Sequence, residues 1–209
     1  MRKKYLLFAA AVVVAGCATV YTADDFATYR EQHDTVAILP YDVNVDLKKL
    51  PEGMTEADIQ QMEKDEAYVF QKVLYTQFLK RYSKGEYTVE FQDVDKTNVL
   101  LTRADIQYEN LGRYTKDEIA RILDVDSIIS GTIVRSKPMS DAGAFWSTVF
   151  FGFGTTNQVH VNMSIHDGET GSLLWSYDHE VAGGLGSTPE SVAKSLMRDV
   201  AKKFPYRRS

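Results

Sequence analysis

Hydrophobic residues recur along the chain in two patterns, one typical of strands and one typical of helices. A continuous apolar run over residues 35–41 is typical of a buried strand, and residues 87–94 alternate as a half-buried strand does. Between them, apolar residues at helical spacing predict a long helix that begins after Thr55, its N-cap, and ends near Tyr82. This part of the chain is therefore predicted to form a strand–helix–strand unit.

The rest of the chain is predicted to contain a short helix, three strands and a closing helix. The helix spans 116–123 and leads into an apolar strand at 126–135. Residues 158–166 alternate cleanly, residues 172–182 return as the next strand, and Pro189 begins the closing helix. We predict an α+β fold with a mixed sheet of about five strands and helices packed against it, in the order β-α-β-α-β-β-β-α.

The hairpin between the last two predicted strands brings histidine and aspartate side chains near each other. A five-residue turn at 167–171 places His166 opposite Ser172, and the same register places His160 opposite Asp178 on the solvent face. A metal site needs three or four converging ligands. We therefore expect a surface salt bridge between His160 and Asp178, and no metal.

The N-terminus has the layout of a secretory signal. A basic start at residues 2–4 is followed by an apolar run over residues 5–14. This run is too short for a membrane-spanning helix, which needs about 20 apolar residues. The small residues Ala15 and Gly16 end the signal, and Cys17 follows them directly.

The position of this cysteine resembles a bacterial lipobox, apart from Val14 where leucine is usual. The resemblance implies that Cys17 carries covalent lipid and becomes the N-terminus after cleavage; no other cofactor is expected. Ala18 follows the cysteine, and in Gram-negative sorting the absence of aspartate there implies the outer membrane. We expect a lipid-anchored protein on the periplasmic face of that membrane.

Three segments follow from this interpretation. Residues 1–16 are the signal peptide, and residues 17–34 are the lipidated cysteine and a short tether, in which Phe26 and Tyr29 mark a short helix. Residues 35–209 are expected to form a single α/β domain. Because the tether is short, the domain should lie close to the membrane surface.

Charge and cysteine content exclude several classes of function. The formal net charge is −5, and it becomes more negative once the basic signal is removed. This balance argues against a nucleic-acid partner. Cys17 is the only cysteine, so its acylation leaves no thiol for a disulfide, a nucleophile or a zinc site.

Several segments together resemble a known group of envelope lipoproteins. They are Ala37-Ile38-Leu39-Pro40, the long helix, the strand at 126–133, the turn and strand at 167–176, and the closing helix. The chain is similar over residues 35–205 to the group that includes CsgG, the curli secretion channel; LpoB, an activator of a penicillin-binding protein; and the N-terminal domain of TolB. The resemblance implies a role in envelope assembly or secretion.

One uncharged segment, residues 142–154, is unusually rich in aromatic side chains. These are Phe145, Trp146, Phe150, Phe151 and Phe153. An exposed patch of this kind would favour aggregation, so it must be covered. It could fold over one end of the sheet, form an interface with another subunit or partner, or insert into the lipid leaflet beside the anchor.

No catalytic motif stands out in the sequence, which contains no Gly-x-Ser-x-Gly elbow and no complete nucleotide fingerprint. We expect a non-catalytic adaptor or accessory subunit and not an enzyme. Its partners would be the membrane, through the lipid, and another envelope protein or a second copy of the chain. The alternative is a homo-oligomeric secretion-channel component with residues 142–154 at the membrane.

Overall fold

The computed structural model describes residues 19–46, 50, 53–136, 158–181 and 188–208. The elements in these ranges are β1 (Thr19–Thr22), α1 (Phe26–Gln32), β2 (Thr35–Ile38), β3 (Asp42–Asp46), α2 (Glu56–Tyr82), β4 (Glu90–Phe91), α3 (Val94–Arg103), a 3-10 helix (Tyr108–Arg113), α4 (Lys116–Leu123), β5 (Ser127–Ser136), β6 (Gln158–Asp167), β7 (Leu173–Val181) and α5 (Pro189–Val200).

The described strands form one mixed sheet of seven strands in the order β1-β7-β6-β5-β2-β4, with β3 also paired to β5. The pairs β2–β4, β2–β5 and β3–β5 are parallel, and β5–β6, β6–β7 and β1–β7 are antiparallel. This confirms the predicted α+β class and mixed sheet. The sheet is larger than predicted because β1 and β3 add to it.

β1 and α1 lie in the segment that the sequence suggested as a tether. β1 pairs with β7 along the sheet edge, from Thr19 opposite Asp178 to Thr22 opposite Trp175. α1 follows where a short helix was predicted, and it buries Phe26 in the main core. The residues of β1 and α1 are therefore part of the folded domain.

β2 and β3 run in line along the same side of β5, with a break between them. Pro40 lies in this break, and proline has no N–H for a sheet hydrogen bond. The ring of Tyr41 packs over Gly131 of β5, where a Cβ would lie 2.4 Å from the Tyr41 Cε1 atom. A glycine is needed at position 131 because the ring occupies the side-chain space.

The two faces of the sheet are covered differently. On the first face, α2 and α5 pack over the strands in a core that includes Phe70, Phe78 and Trp175. On the second face, α3 and α4 cover a smaller cluster around Ala37 and Ile128. The part of the second face that they leave uncovered bears polar side chains.

The predicted long helix is confirmed, including its start. Thr55 accepts a hydrogen bond from the Asp58 N–H, and the Asp58 carboxylate accepts one from the Thr55 N–H. This capping box stabilises the first turn because it satisfies two N–H groups that have no partner within the helix.

The strand predicted at 87–94 is wrong over most of its length. Only Glu90–Phe91 form a strand, and α3 begins at Val94. Asp93 caps α3 by accepting hydrogen bonds from the N–H groups of Asp95 and Lys96. The alternation does correspond to buried side chains, since Tyr87 and Val89 are in the core. The cap, however, favours a helix after residue 93 and not a continued strand.

The predicted register of the β6–β7 hairpin is also wrong. His166 pairs with Leu173 and not with Ser172, so six residues and not five lie between the paired positions, and a register shift between Ile165 and His166 then displaces the remaining pairs by one more residue. Such a bulge adds a residue to one strand, which changes every pairing beyond it.

Candidate functional site

Several strands begin or end at one end of the sheet, which we call the anchor end. β5 ends there at Ser136, directly opposite Gln158, where β6 begins. β7 runs back to the same end and finishes at Val181. β1 is antiparallel to β7, so its first residue, Thr19, also points to the anchor end.

Cys17 lies outside the described residues, two positions before Thr19. Two residues of extended chain span at most about 7 Å. Thr19 lies opposite Asp178, and the strand pairs that continue across the sheet from Asp178 lead to Thr132 of β5. Thr132 is four residues before the end of β5. At about 3.3 Å per residue along a strand, Thr19 is therefore about 13 Å short of the end of the sheet at Ser136.

The aromatic residues Phe145, Trp146, Phe150, Phe151 and Phe153 also lie outside the described residues. The chain that carries them leaves the sheet at Ser136 and returns at Gln158, both at the anchor end. The strand register therefore places Thr19 towards the same end of the sheet as Ser136 and Gln158, although Thr19 and Ser136 are more than a hundred residues apart in sequence.

A cleft of about 550 Å³ opens on the second face of the sheet, beside the break between β2 and β3. Its floor is formed by side chains of β5 and β6, and its walls by β3, the 3-10 helix and the start of α4. The polar residues that line it include Asp42, Glu63, Tyr108, Lys116, Ser130, Thr132, Asn162 and Ser164. A cleft of this volume suits a small ligand.

Two side chains of the cleft wall also protect the open edge of β3. The N–H of Val43 donates to the Tyr108 hydroxyl at 3.1 Å, and the N–H of Val45 donates to Glu63 Oε1 at 2.9 Å. Satisfying these groups prevents another strand from pairing there. Burial raises the pKa of Glu63, although the hydrogen bond from Val45 opposes this, and burial raises the pKa of Tyr108 to about 12.

Lys116 is the first residue of α4 and is half-buried at the cleft wall. Burial lowers the pKa of its ammonium group, and the negative charge of Asp42 opposes this effect. Among the described residues, the ammonium group makes no hydrogen bond and no ion pair.

A second polar group is buried in the core and links residues far apart in sequence. Asp167 Oδ1 lies 3.0 Å from His33 Nε2, and His33 Nδ1 lies 2.6 Å from the Tyr206 hydroxyl. The Tyr206 hydroxyl in turn donates to Ser127 Oγ at 3.0 Å. These four residues are at most 5% exposed, so the group is closed to a substrate and serves to join parts of the fold.

The pKa of Asp167 lies below its ordinary value. Burial alone would raise it, but hydrogen bonds from the Thr170 hydroxyl and N–H, together with His33, lower it overall. The sequence contained no signal for this cluster, because its members come from four separate elements and share no spacing.

The predicted salt bridge between His160 and Asp178 is wrong. His160 pairs with Glu180, and Asp178 lies beside Asn162, whose Nδ2 donates to Asp178 Oδ1 at 2.9 Å. The residues that the structure describes contain no group of three or more metal-ligating side chains. None of the described helices is long and apolar enough to cross a membrane.

No protein-family profile matches the chain, and no curated protein matches it in sequence. Several solved structures are similar to it. The PelC dodecamer from Paraburkholderia phytofirmans is 15% identical, with 93% of this chain and 100% of that chain covered and a TM-score of 0.45. Lipoprotein GNA1162 from Neisseria meningitidis is 11% identical, with coverages of 81% and 94% and a TM-score of 0.42.

The C-terminal domain of LpoB from Escherichia coli is 9% identical, with 72% of this chain and 83% of that chain covered and a TM-score of 0.35. At these identities and TM-scores the likeness is loose, and the functions of those proteins do not carry over to this chain. The predicted grouping with CsgG and TolB stays a prediction.

Proposed function

We propose that this protein is a non-catalytic, lipid-anchored adaptor or accessory subunit on the periplasmic face of the outer membrane, acting in envelope assembly or secretion. In this proposal the anchor end of the sheet faces the membrane, and the aromatic segment 142–154 contacts the lipid beside acylated Cys17. The observation that carries the proposal is that Ser136 and Gln158 lie at one end of the sheet and that β1 begins, at Thr19, on the side nearer to the same end.

The chemistry of the two segments supports this orientation. Each methylene of an acyl chain contributes about 0.8 kcal/mol when it is buried in the membrane, so a multiply acylated Cys17 would hold the domain firmly. The segment 142–154 carries phenylalanine and tryptophan without a charge, which suits insertion at a membrane surface. Since only two residues of chain, which span at most about 7 Å, join Cys17 to Thr19 of β1, the anchor would leave little freedom for the domain to turn away.

The non-catalytic role is supported by the sequence, which contains no recognised catalytic motif. The Ser127–Tyr206–His33–Asp167 cluster includes the residue types of a hydrolytic triad, but it is enclosed in the core. Binding is therefore the favoured activity of the folded domain.

The membrane contact can be tested with a soluble Cys17→Ala form of residues 17–209. Flotation with phosphatidylethanolamine–phosphatidylglycerol vesicles measures its binding without the lipid anchor. A second form that also carries Phe150→Ser and Phe151→Ser should bind at least tenfold more weakly. Leu173→Ser removes an exposed apolar side chain at the opposite end of β7, so it is the matched control and should bind normally.

Equal vesicle binding by the Phe150→Ser, Phe151→Ser form and its parent would contradict the membrane contact. Mass spectrometry of the membrane fraction tests the anchor itself, since acylation requires the loss of residues 1–16 and the addition of lipid to Cys17. Light scattering of the acylated protein in detergent separates the adaptor from the channel alternative. An adaptor gives a monomer or dimer, whereas a channel component gives a ring of many subunits.

A further inference from the structure

We propose that the cleft on the second face of the sheet binds a small zwitterion, an amino acid or short peptide with free termini. Its carboxylate would lie against Lys116 and its ammonium group against Asp42. This inference goes beyond the adaptor function, because it assigns a soluble ligand to a part of the domain away from the anchor.

The first argument is the state of Lys116. Its ammonium group is half-buried at the cleft wall and has no hydrogen-bonded or ionic partner in the described part of the chain. A partly desolvated charge without a partner is unfavourable. A ligand carboxylate in the cleft would supply the missing partner, and burial would strengthen the attraction.

The second argument is the distribution of carboxylates around the same cavity. Glu63 accepts the hydrogen bond from Val45, and Glu109 is paired with Lys64 at 2.8 Å. Asp42 lies at the rim and, within the described ranges, its carboxylate has no such partner. Among the residues that the structure describes, the cleft therefore presents an unpaired Lys116 ammonium group and an unpaired Asp42 carboxylate on its walls.

The third argument is the floor between these two charges. The hydroxyl groups of Ser130 and Thr132 make no hydrogen bond to any described residue, so they are available to a ligand. Beside them, Ser164 donates to Asn162 Oδ1 at 2.8 Å, and Asn162 Nδ2 donates to Ser176 at 3.0 Å. Side chains held by such bonds offer a preorganised surface.

The charges on both walls exclude simpler ligands. A plain anion drawn to Lys116 would also meet Asp42 and Glu63, and a plain cation drawn to Asp42 would meet Lys116. A molecule with separated charges of both signs is attracted by both walls at once. The volume of about 550 Å³ accommodates a dipeptide but not a folded partner.

The experiment is calorimetric titration of the mature protein, in detergent, with three probes. They are glycylglycine, N-acetylglycylglycine without the ammonium group, and glycylglycinamide without the carboxylate. Glycylglycine should bind, and each blocked probe should bind at least tenfold more weakly. Absence of glycylglycine binding, or equal binding of all three probes, overturns the proposal.

Two variants assign the ends of the ligand. Lys116→Met should bind glycylglycine and glycylglycinamide equally, because the group that recognises the carboxylate is gone. Asp42→Asn should bind glycylglycine and N-acetylglycylglycine equally. The matched control is Lys72→Met on the exposed side of α2, which should keep the preferences of the parent protein. Thermal unfolding of each variant shows that it is folded; unchanged preferences in both cleft variants also overturn the proposal.

Discussion

The Nδ1 atom of His33 and the hydroxyl oxygen of Tyr206 lie 2.6 Å apart in the core. This contact joins the residue after α1 to the C-terminal tail, which follows α5. The tail is held further by the N–H of Thr88, which donates to the carbonyl of Tyr206 at 2.9 Å. The C-terminal tail is thus bound both to the residue after α1 and to Thr88, just before β4.

The first prediction is that the Nε2 atom of His33 carries a proton. Despite burial, hydrogen bonds from Thr170 and His33 hold the pKa of Asp167 below its ordinary value, so its carboxyl group is ionised and can only accept hydrogen bonds. His33 Nε2, which lies 3.0 Å from Asp167 Oδ1, is therefore the donor of this bond.

Nitrogen-15 NMR of the ring nitrogens is the direct measurement. The Nε2 atom of His33 should carry a proton at pH 7. A spectrum in which Nε2 is the unprotonated nitrogen of the His33 ring would show that the donor assignment is wrong.

The second prediction concerns Tyr206→Phe. The variant keeps the ring but leaves His33 Nδ1 and Ser127 Oγ without the hydroxyl between them. A buried polar group left unsatisfied costs about 1–3 kcal/mol, so the free energy of unfolding in urea should fall by that amount. Tyr21→Phe removes a hydroxyl from a residue that is 50% exposed and should change stability little. A loss equal to that of the control would refute the role of the Tyr206 hydroxyl.

The third prediction is a pH dependence due to His166. Burial, followed by the charge of Lys116, lowers the pKa of His166 from 6.5 to about 4. The unfolded chain therefore takes up this proton at a higher pH than the folded protein does. The contribution of neutral His166 to the free energy of unfolding is therefore complete above pH 6.5, and it is lost progressively as the pH falls towards about 4.

His166→Gln should flatten the dependence of unfolding free energy on pH between pH 6.5 and 4. His160→Gln, on the exposed part of β6, is the control and should keep the parent slope. Parallel curves for the parent and His166→Gln would contradict the prediction.

The fourth prediction is that Gly131→Ala is strongly destabilising. The added Cβ would lie 2.1 Å from the carbonyl oxygen of Asn162 and 2.4 Å from the Tyr41 ring. Overpacking of this kind costs about 1–3 kcal/mol or more, because strand and ring must both shift. Gly112→Ala, whose Cβ would have nothing within 4 Å, is the matched control. The comparison is made by urea denaturation, and equal midpoints for the two variants would refute the prediction.

Predictions from local sequence signals were confirmed where the signal and the structure that it specifies lie within one element. The Thr55–Asp58 capping box begins α2 as predicted, and Pro189 begins α5. The alternation over residues 158–166 predicted β6, in which Val159, Val161, Met163 and Ile165 share one face and are all buried. These features depend on residues that are close together in the sequence, so the local pattern of residue types is enough to predict them.

Features that depend on pairing between distant segments were not predictable in the same way. The pairing of β1 with β7, the bulge at His166 and the break at Pro40 each depend on which strand lies alongside. The cleft follows from that break, since its floor and its walls come from separate segments of the chain.

By itself, the sequence determined the class of the fold and the long helix, and it predicted lipid attachment at Cys17 and a covered position for the uncharged aromatic segment. The tertiary structure alone decided that Thr19 and Ser136 lie towards one end of the sheet and that Lys116 shares a cavity with Asp42. The physical reason is that periodicity reports the side of an element that is buried, whereas strand order and register decide which distant residues become neighbours.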